Sequence, residues 1–354
     1  MGMFTGIGST QSDRFIILSV HDHDTSECWL IDAEKPLDAP RLVAARETGI
    51  EYDMEHHGER FIIKTNRDGA EDRRLLTAPV SDPRPPTGLI WCRTARHFPR
   101  QFLSVFKDWL VRLERENALP RIVVRDTSGE EHTIAFAEEA YSLGLGDMRA
   151  AETDTLRFSH SSPTTPAQVF DYNMRSRERI LRKTQEVPSG HTPSDYVARR
   201  VLAPAHDGEQ VPLTLLYHKD TPPDGTAPVQ WYRFLCASLP AGFSTNILSL
   251  VNRGFIYAMA HIRGGRCAVL RASKAAKRRL SSSAISFLCG HLVRMGFTRR
   301  GGIIAHRRQR RRPADGAGGQ YMPDLRVSPM SSSMPITMLD DTPLTPPEWP
   351  MKVT

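Results

Sequence analysis

Apolar runs of four to eight residues, separated by turn-forming stretches, dominate the first half of the chain. Residues 14–20 read Arg-Phe-Ile-Ile-Leu-Ser-Val, break at the polar Asp22-His23-Asp24, and resume at 28–32 as Cys-Trp-Leu-Ile-Asp. Enrichment in β-branched and aromatic residues between turn signals predicts strands. The same opening recurs at 60–63, 108–111 and 155–158. With Phe15, Phe61, Trp109 and Leu156 as markers, the spacings are 46, 48 and 47 residues. A period of ~40–50 residues that holds several short strands predicts propeller blades, which bury their sheet faces only against one another. Four blades are expected, about half of a typical ring, and the first begins almost at Met1, so the ring is expected to be open or short at its front. Asn66-Arg67-Asp68-Gly69 and Thr127-Ser128-Gly129 predict hairpin turns between strand-like runs. Residues 83–99 fit neither strand nor helix periodicity. They read as a long insertion or as sequence never selected to fold.

The pattern changes after residue 183. Residues 184–193, with two prolines and a glycine, predict a linker. Strands are expected at 197–203 and 211–217, joined by a tight Asp207-Gly208 turn. An amphipathic helix is expected at 244–253, a strand at 255–260, a helix end at 291–296 with a glycine stop, and a strand from 302 to 305. Helix–glycine–strand alternation predicts a parallel sheet covered by helices. The expected division is a propeller over 1–183, a linker over 184–193 and an α/β domain over 194–354.

Composition is that of a globular protein, with 40% hydrophobic and 25% charged residues in 354. Residues 1–13 are polar and lack the apolar segment of a secretory signal, and no apolar run is long enough to span a bilayer. Five scattered cysteines (Cys28, Cys92, Cys236, Cys267, Cys289) form no CxxC pair. That argues against a disulfide framework or zinc site and for a reducing, cytoplasmic setting. Net charge is +7, but 14 of the 47 basic residues lie between Arg266 and Arg312 with no acidic residue among them. The other 33 face 40 acidic residues, so an acidic protein carries one intensely basic segment. His21 with His23, and His56 with His57, have no third ligand at convincing spacing, so neither metal nor cofactor is expected. Glu114, Arg115 and Glu116 are expected on an exposed charged rim.

Several segments carry a family resemblance. Gln185-Glu186-Val187-Pro188-Ser189-Gly190, Val211-Pro212-Leu213-Thr214-Leu215-Leu216-Tyr217-His218-Lys219 and Leu248-Ser249-Leu250-Val251-Asn252-Arg253-Gly254-Phe255-Ile256-Tyr257-Ala258 resemble the prolyl oligopeptidase family. His261-Ile262-Arg263-Gly264-Gly265 and Thr337-Met338-Leu339-Asp340-Asp341 add to the likeness, which points to its oligopeptidase B (protease II) branch. In the first half, Gly6-Ile7-Gly8-Ser9-Thr10-Gln11-Ser12 and Glu55-His56-His57-Gly58 do the same. The resemblance implies a partial β-propeller, about four blades of a seven-bladed ring, plus an incomplete α/β-hydrolase domain. It also implies a cytoplasmic serine endopeptidase acting on short peptides after Arg or Lys.

The chemistry implied by that resemblance is missing at its centre. After Ile303-Ile304-Ala305-His306 the family has a glycine–serine nucleophile elbow, where a strained turn exposes the serine. This chain has Arg307-Arg308-Gln309-Arg310-Arg311-Arg312. Glycine-rich codons of the GGC type, read one base out of phase, give that arginine block residue for residue, so a shifted reading frame is expected here. Similar shifts are expected at 89–94, at 231–236 (where the family has a loop that helps stabilise the oxyanion) and at 267–289. The family's acid and base are expected downstream of Thr354. His306 belongs to the strand before the elbow and is not the base. Ser281, Ser282, Ser283, Ser331, Ser332 and Ser333 sit in no glycine elbow and are expected in exposed loops. No catalytic residue is therefore assigned. Glu348 matches one acidic position that helps bind a basic substrate side chain in that branch, and Pro350 falls where its acidic companion belongs. The expected protein is a degenerate, inactive peptidase relative. The alternatives are a polyanion binder using Arg307 to Arg312, contacting nucleic acid non-specifically if at all, and a propeller interaction module.

Overall fold

The computed structural model describes residues 3–22, 24–70, 73–84, 89–92, 103–116, 119–146, 151–204, 210–221, 224–233, 241–261, 290–299, 302–307, 325–328 and 336–339. At 89–92, 231–233, 305–307, 325–328 and 336–339 the backbone alone is described. Four four-stranded antiparallel sheets follow one another in chain order. They are β1 (Phe4–Ser9), β2 (Phe15–His21), β3 (Ser26–Asp32) and β4 (Arg41–Leu42); β5 (Tyr52–His57), β6 (Arg60–Thr65), β7 (Arg74–Pro79) and β8 (Leu89–Cys92); β9 (Leu103–Val105), β10 (Trp109–Glu116), β11 (Leu119–Asp126) and β12 (Glu131–Thr133); and β13 (Ser142–Leu145), β14 (Thr155–Ser161), β15 (Gln168–Asn173) and β16 (Arg179–Thr184). The four markers Phe15, Phe61, Trp109 and Leu156 fall one per sheet, each on its second strand, and all four are buried. These are four propeller blades.

Strand alternation explains how the blades hold together. Successive side chains of a strand point to opposite faces. On β6, Phe61 and Ile63 join a core with Phe15, Cys28 and Leu30 of blade one, while Ile62 joins a second core with residues of blades three and four. One strand thus feeds two cores, and each core lies between blades. The first strand of blade one and the last strand of blade four still show apolar side chains to solvent: Ile7 is 75% exposed and Leu181 48%.

Both expected hairpin turns form. Asp68 and Gly69, between β6 and β7, have φ of 54° and 73°, a conformation that asparagine, aspartate and glycine tolerate best. Two expectations need correction. The stretch 83–99 lacks strand character in its residue pattern, yet the backbone of β8 pairs with β7 as the outer strand of blade two; residues 93–99 lie outside the described residues. The charged rim at 114–116 is half wrong. Glu114 is fully buried, because it shares blade three's interior with Arg112 and Arg121, and only Glu116 is exposed. Alternation sends positions 112 and 114 to the same face, where opposite charges satisfy one another.

β16 ends at Thr184 and a 3-10 turn at Pro193–Asp195 precedes the second sheet. That sheet contains β17 (Tyr196–Pro204), β18 (Gln210–His218), β19 (Val229–Arg233), β20 (Ile256–Ala260), β21 (Ile303–Arg307), β22 (Leu325–Ser328) and β23 (Ile336–Leu339), in the order β17-β18-β20-β19-β21-β23-β22. Only β20, β19 and β21 are mutually parallel; β17–β18, β18–β20, β21–β23 and β22–β23 are antiparallel. The expected parallel sheet is therefore a mixed one, as the short β17–β18 connection requires, since a parallel crossover needs a dozen residues or more. Helix α1 (Thr245–Val251) connects β19 to β20 and packs Leu248 and Val251 against Leu216, Tyr257 and Met259. A helical turn at 290–294, followed by Gly296 at φ 76°, leads toward β21. Among the described residues no helix is long and apolar enough to cross a membrane.

Candidate functional site

The parallel strands place their carboxyl ends along one sheet edge. Tyr232 lies opposite Met259 of β20 and His306 of β21, and Arg233 lies opposite Arg307. From β19 the chain passes through α1 to β20 on one side; from β20 it crosses to β21 on the other. Open α/β sheets bind ligands outside the carboxyl ends of strands where the order switches in this way. This edge, with Arg233, Ala260, His261 and Arg307 at the strand ends, is the candidate site.

His261 follows directly on β20. Its Nε2 is 2.9 Å from Thr214 Oγ1 on β18. Burial holds its pKa down at about 4, and the nearby guanidinium groups of Arg200 and Arg115 push in the same direction. The imidazole is therefore neutral at neutral pH and serves as a hydrogen-bonding fixture of the sheet edge. Arg200 belongs to β17 and Arg115 to blade three, so the propeller's field reaches the edge of the sheet.

Further contacts join the two parts. The Arg200 N–H donates to Glu139 Oε2, at 2.7 Å, on the segment between β12 and β13. The Phe243 N–H, just before α1, donates to Ser161 Oγ at 2.9 Å at the end of β14. The linker residue His191 places Nε2 2.7 Å from the Thr164 carbonyl; because that oxygen only accepts, the nitrogen carries the proton. Nothing in the local sequence singles out Ser161, Glu139 or His191. Their roles depend on which blade rim the second sheet meets.

The sequence-derived candidates scatter. Arg307 ends β21, while Arg308 to Arg312 lie outside the described residues, as do Glu348, Pro350 and the serines at 281–283 and 331–333. His306 sits within β21, opposite Tyr232 and Ile336, in keeping with its reading as a strand residue. His56, on β5 of blade two, is used structurally. Its Nδ1 is 2.8 Å from Ser12 Oγ, and its ring meets Phe15 and Phe61 edge-on, with burial lowering its pKa. Among the described residues no three His, Cys, Asp or Glu side chains gather as a metal site. Cys28 is a buried thiol whose pKa burial pushes up to about 12, which makes it unreactive.

Comparison with known proteins gives one consistent answer. Residues 2–185 match the family described as prolyl oligopeptidase, N-terminal beta-propeller domain. The chain is 38% identical over 266 residues to dipeptidyl aminopeptidase BI of Pseudoxanthomonas mexicana, covering 74% of this chain and 36% of that protein. It is 29% identical to protease 2 of Moraxella lacunata, covering 73% of this chain and 37% of the other. Oligopeptidase B of Trypanosoma brucei, solved in a closed form with covalently bound antipain, superposes with a TM-score of 0.77 at 26% identity. That match covers 85% of this chain and 45% of the trypanosomal one. The chain thus spans less than half the length of these relatives.

Proposed function

From the premise that this chain belongs to the prolyl oligopeptidase family, we propose that it is a peptidase framework without peptidase chemistry. In this reading residues 1–183 are the propeller, 184–193 the linker and 194–354 hydrolase-domain sequence with scrambled segments, in a cytoplasmic protein. The observation that carries the reading is the sequence at the end of β21. That strand ends at Arg307 beside the carboxyl ends of β19 and β20, where an α/β-hydrolase would turn sharply and present its nucleophile. The chain continues instead with Arg308-Gln309-Arg310-Arg311-Arg312, with no serine held between glycines. Acyl transfer by this family's route needs a nucleophile, a base to deprotonate it and an acid to orient the base. Glu348 would remain as half of a pocket for basic side chains. The arginine block is best explained as a glycine–serine elbow read out of frame, and the DNA across these codons decides that point.

The test is an arginyl-amidomethylcoumarin substrate incubated with purified protein. No turnover is expected. Turnover abolished by a serine-reactive phosphonate would overturn the reading.

A second reading has one observation in its favour. The backbone register sets Arg233 opposite Arg307 at the head of the basic block. Phosphate-bearing polymers bind such clusters by counterion release. Saturable binding to random-sequence DNA near physiological salt, with a steep salt dependence, would favour it; absence of binding would remove it.

A further inference from the structure

The blade-four rim holds the linker and the residues before α1 through a closed ring of contacts. Ser161 Oγ accepts the Phe243 N–H at 2.9 Å and donates its own proton to the Thr165 carbonyl at 3.2 Å, so the hydroxyl is oriented from both sides. Thr165 and Thr164 belong to the turn between β14 and β15. That turn is wired internally by the fully buried Ser162, whose Oγ accepts the Thr164 and Thr165 N–H groups. The Thr164 carbonyl in turn accepts the His191 Nε2–H at 2.7 Å. The His191 imidazole meets Phe243 edge-on, with centroids 4.8 Å apart, which closes the circuit.

The same device reaches the other end of α1. His191 stacks on Tyr196 at 5.1 Å, and the Tyr196 hydroxyl donates to Asn252 Oδ1, at 2.8 Å, at the carboxyl cap of the helix. The backbone before the helix lies close against the blade. A Cβ placed on Gly242 would stand 3.6 Å from Ser142 Oγ and 3.7 Å from Ser161 Oγ. An α-helix of seven residues gains little stability from its own hydrogen bonds, because nucleation is costly. Its position is set by the groups that hold its ends.

We propose that Ser161 and His191 are positioning residues through which blade four and the linker fix residues 241–244 and, with them, the amino end of α1. The propeller then helps to place α1, the helix between β19 and β20 in chain order. The functional meaning builds on the family reading, in which this connection lies beside the reaction centre; the clamp itself is a statement about geometry.

Amide hydrogen exchange of the full chain tests it. Ser161→Ala removes the acceptor for the Phe243 N–H and is expected to raise exchange in 241–247 by about tenfold, the scale of one lost hydrogen bond. Exchange in β10 and β11 should stay unchanged, and Ser161→Thr, which keeps a hydroxyl, should restore protection. Ser142→Ala, which removes a neighbouring hydroxyl that makes no hydrogen bond to the described residues 241–244, should have no effect. His191→Phe keeps a ring against Phe243 but cannot donate to Thr164, and should raise exchange in 186–195 and 241–247 together. This variant decides the matter if Ser161→Ala does not fold. Unchanged exchange in 241–247, or equal loosening by Ser142→Ala, would overturn the proposal. Phosphonate-sensitive turnover would remove the inactive reading and leave the clamp standing, so the two can fail separately.

Discussion

Glu55 of blade two accepts the backbone N–H of Gln11, in the β1–β2 turn of blade one, at 2.9 Å. The same oxygen accepts the His56 N–H at 2.9 Å, and the Gln11 side-chain carbonyl takes the Val105 N–H of blade three at 2.8 Å. Three blades meet at this pair.

Burial raises the Glu55 pKa from 4.5 to about 7, against the lowering effect of the two N–H donors and with a further push from Asp53. The unfolded chain releases the proton near 4.5, and the folded chain keeps it to about 7. The unfolded state therefore binds fewer protons in that window, and stability falls as pH rises from 4.5 to 7. Glu55→Gln keeps the acceptor oxygen and removes the ionisation. Its melting temperature should exceed wild type by a few degrees at about pH 8 and converge with it at about pH 4, as thermal denaturation followed by dichroism would read. A constant gap across pH would contradict the assignment.

His261 works in the opposite direction. Its pKa falls from 6.5 to about 4, chiefly by burial, so the unfolded chain takes up a proton that the folded chain refuses. Stability conferred above pH 6.5 is lost progressively as pH falls toward 4. His261→Gln can still bond Thr214 but does not titrate, so its loss of melting temperature between about pH 7.5 and pH 5 should be smaller than that of wild type.

Arg112 is 1% exposed and bonded in bidentate fashion to Glu131 at 2.7 and 2.8 Å; Glu114, fully buried on the same strand, takes Arg121 at 2.6 Å. Removing one member of a buried charge group leaves the others uncompensated. Arg112→Ala should destabilise the chain by about 3–5 kcal/mol in urea unfolding. Arg84→Ala, whose partner Asp82 is also on the surface, should change stability by less than about 1 kcal/mol.

Phe61 is fully buried at the junction of blades one and two, touching the rings of Phe15 and His56. Phe61→Ala should cost about 3–5 kcal/mol through lost burial and the cavity left behind. Leu37→Ala, at a position 99% exposed, should be nearly neutral in the same measurement.

The blade repeat is legible in the residues because its physics is local. Phe15, Phe61, Trp109 and Leu156 recur where the second strand of each blade must bury a large side chain, and a four-stranded sheet with its turns takes a nearly constant length. The strand after α1, β20, is legible for the same reason. β19, before it, is not, because Trp231-Tyr232-Arg233 reads as part of an irregular patch and its place is given by parallel pairing with β20 and β21. Glu114 misleads because a charged triplet looks alike on a rim and in a buried ion network. Of the partners that decide the case, Arg112 shares its face by alternation along β10, and Arg121 is brought opposite it by strand register. β8 escapes notice because its pairing with β7 comes from the backbone, not from a distinctive side-chain pattern.

Sequence alone was enough for the blade period and for the run of arginines that follows β21. Each of these is written in consecutive residues. The tertiary structure settled which strands run parallel, so that Arg233, His261 and Arg307 share one edge. It also brought Ser161 and His191 against Phe243, just before α1. Contacts between residues 82 and 52 positions apart depend on how two folded units dock, and no local pattern of apolar and polar positions encodes that geometry.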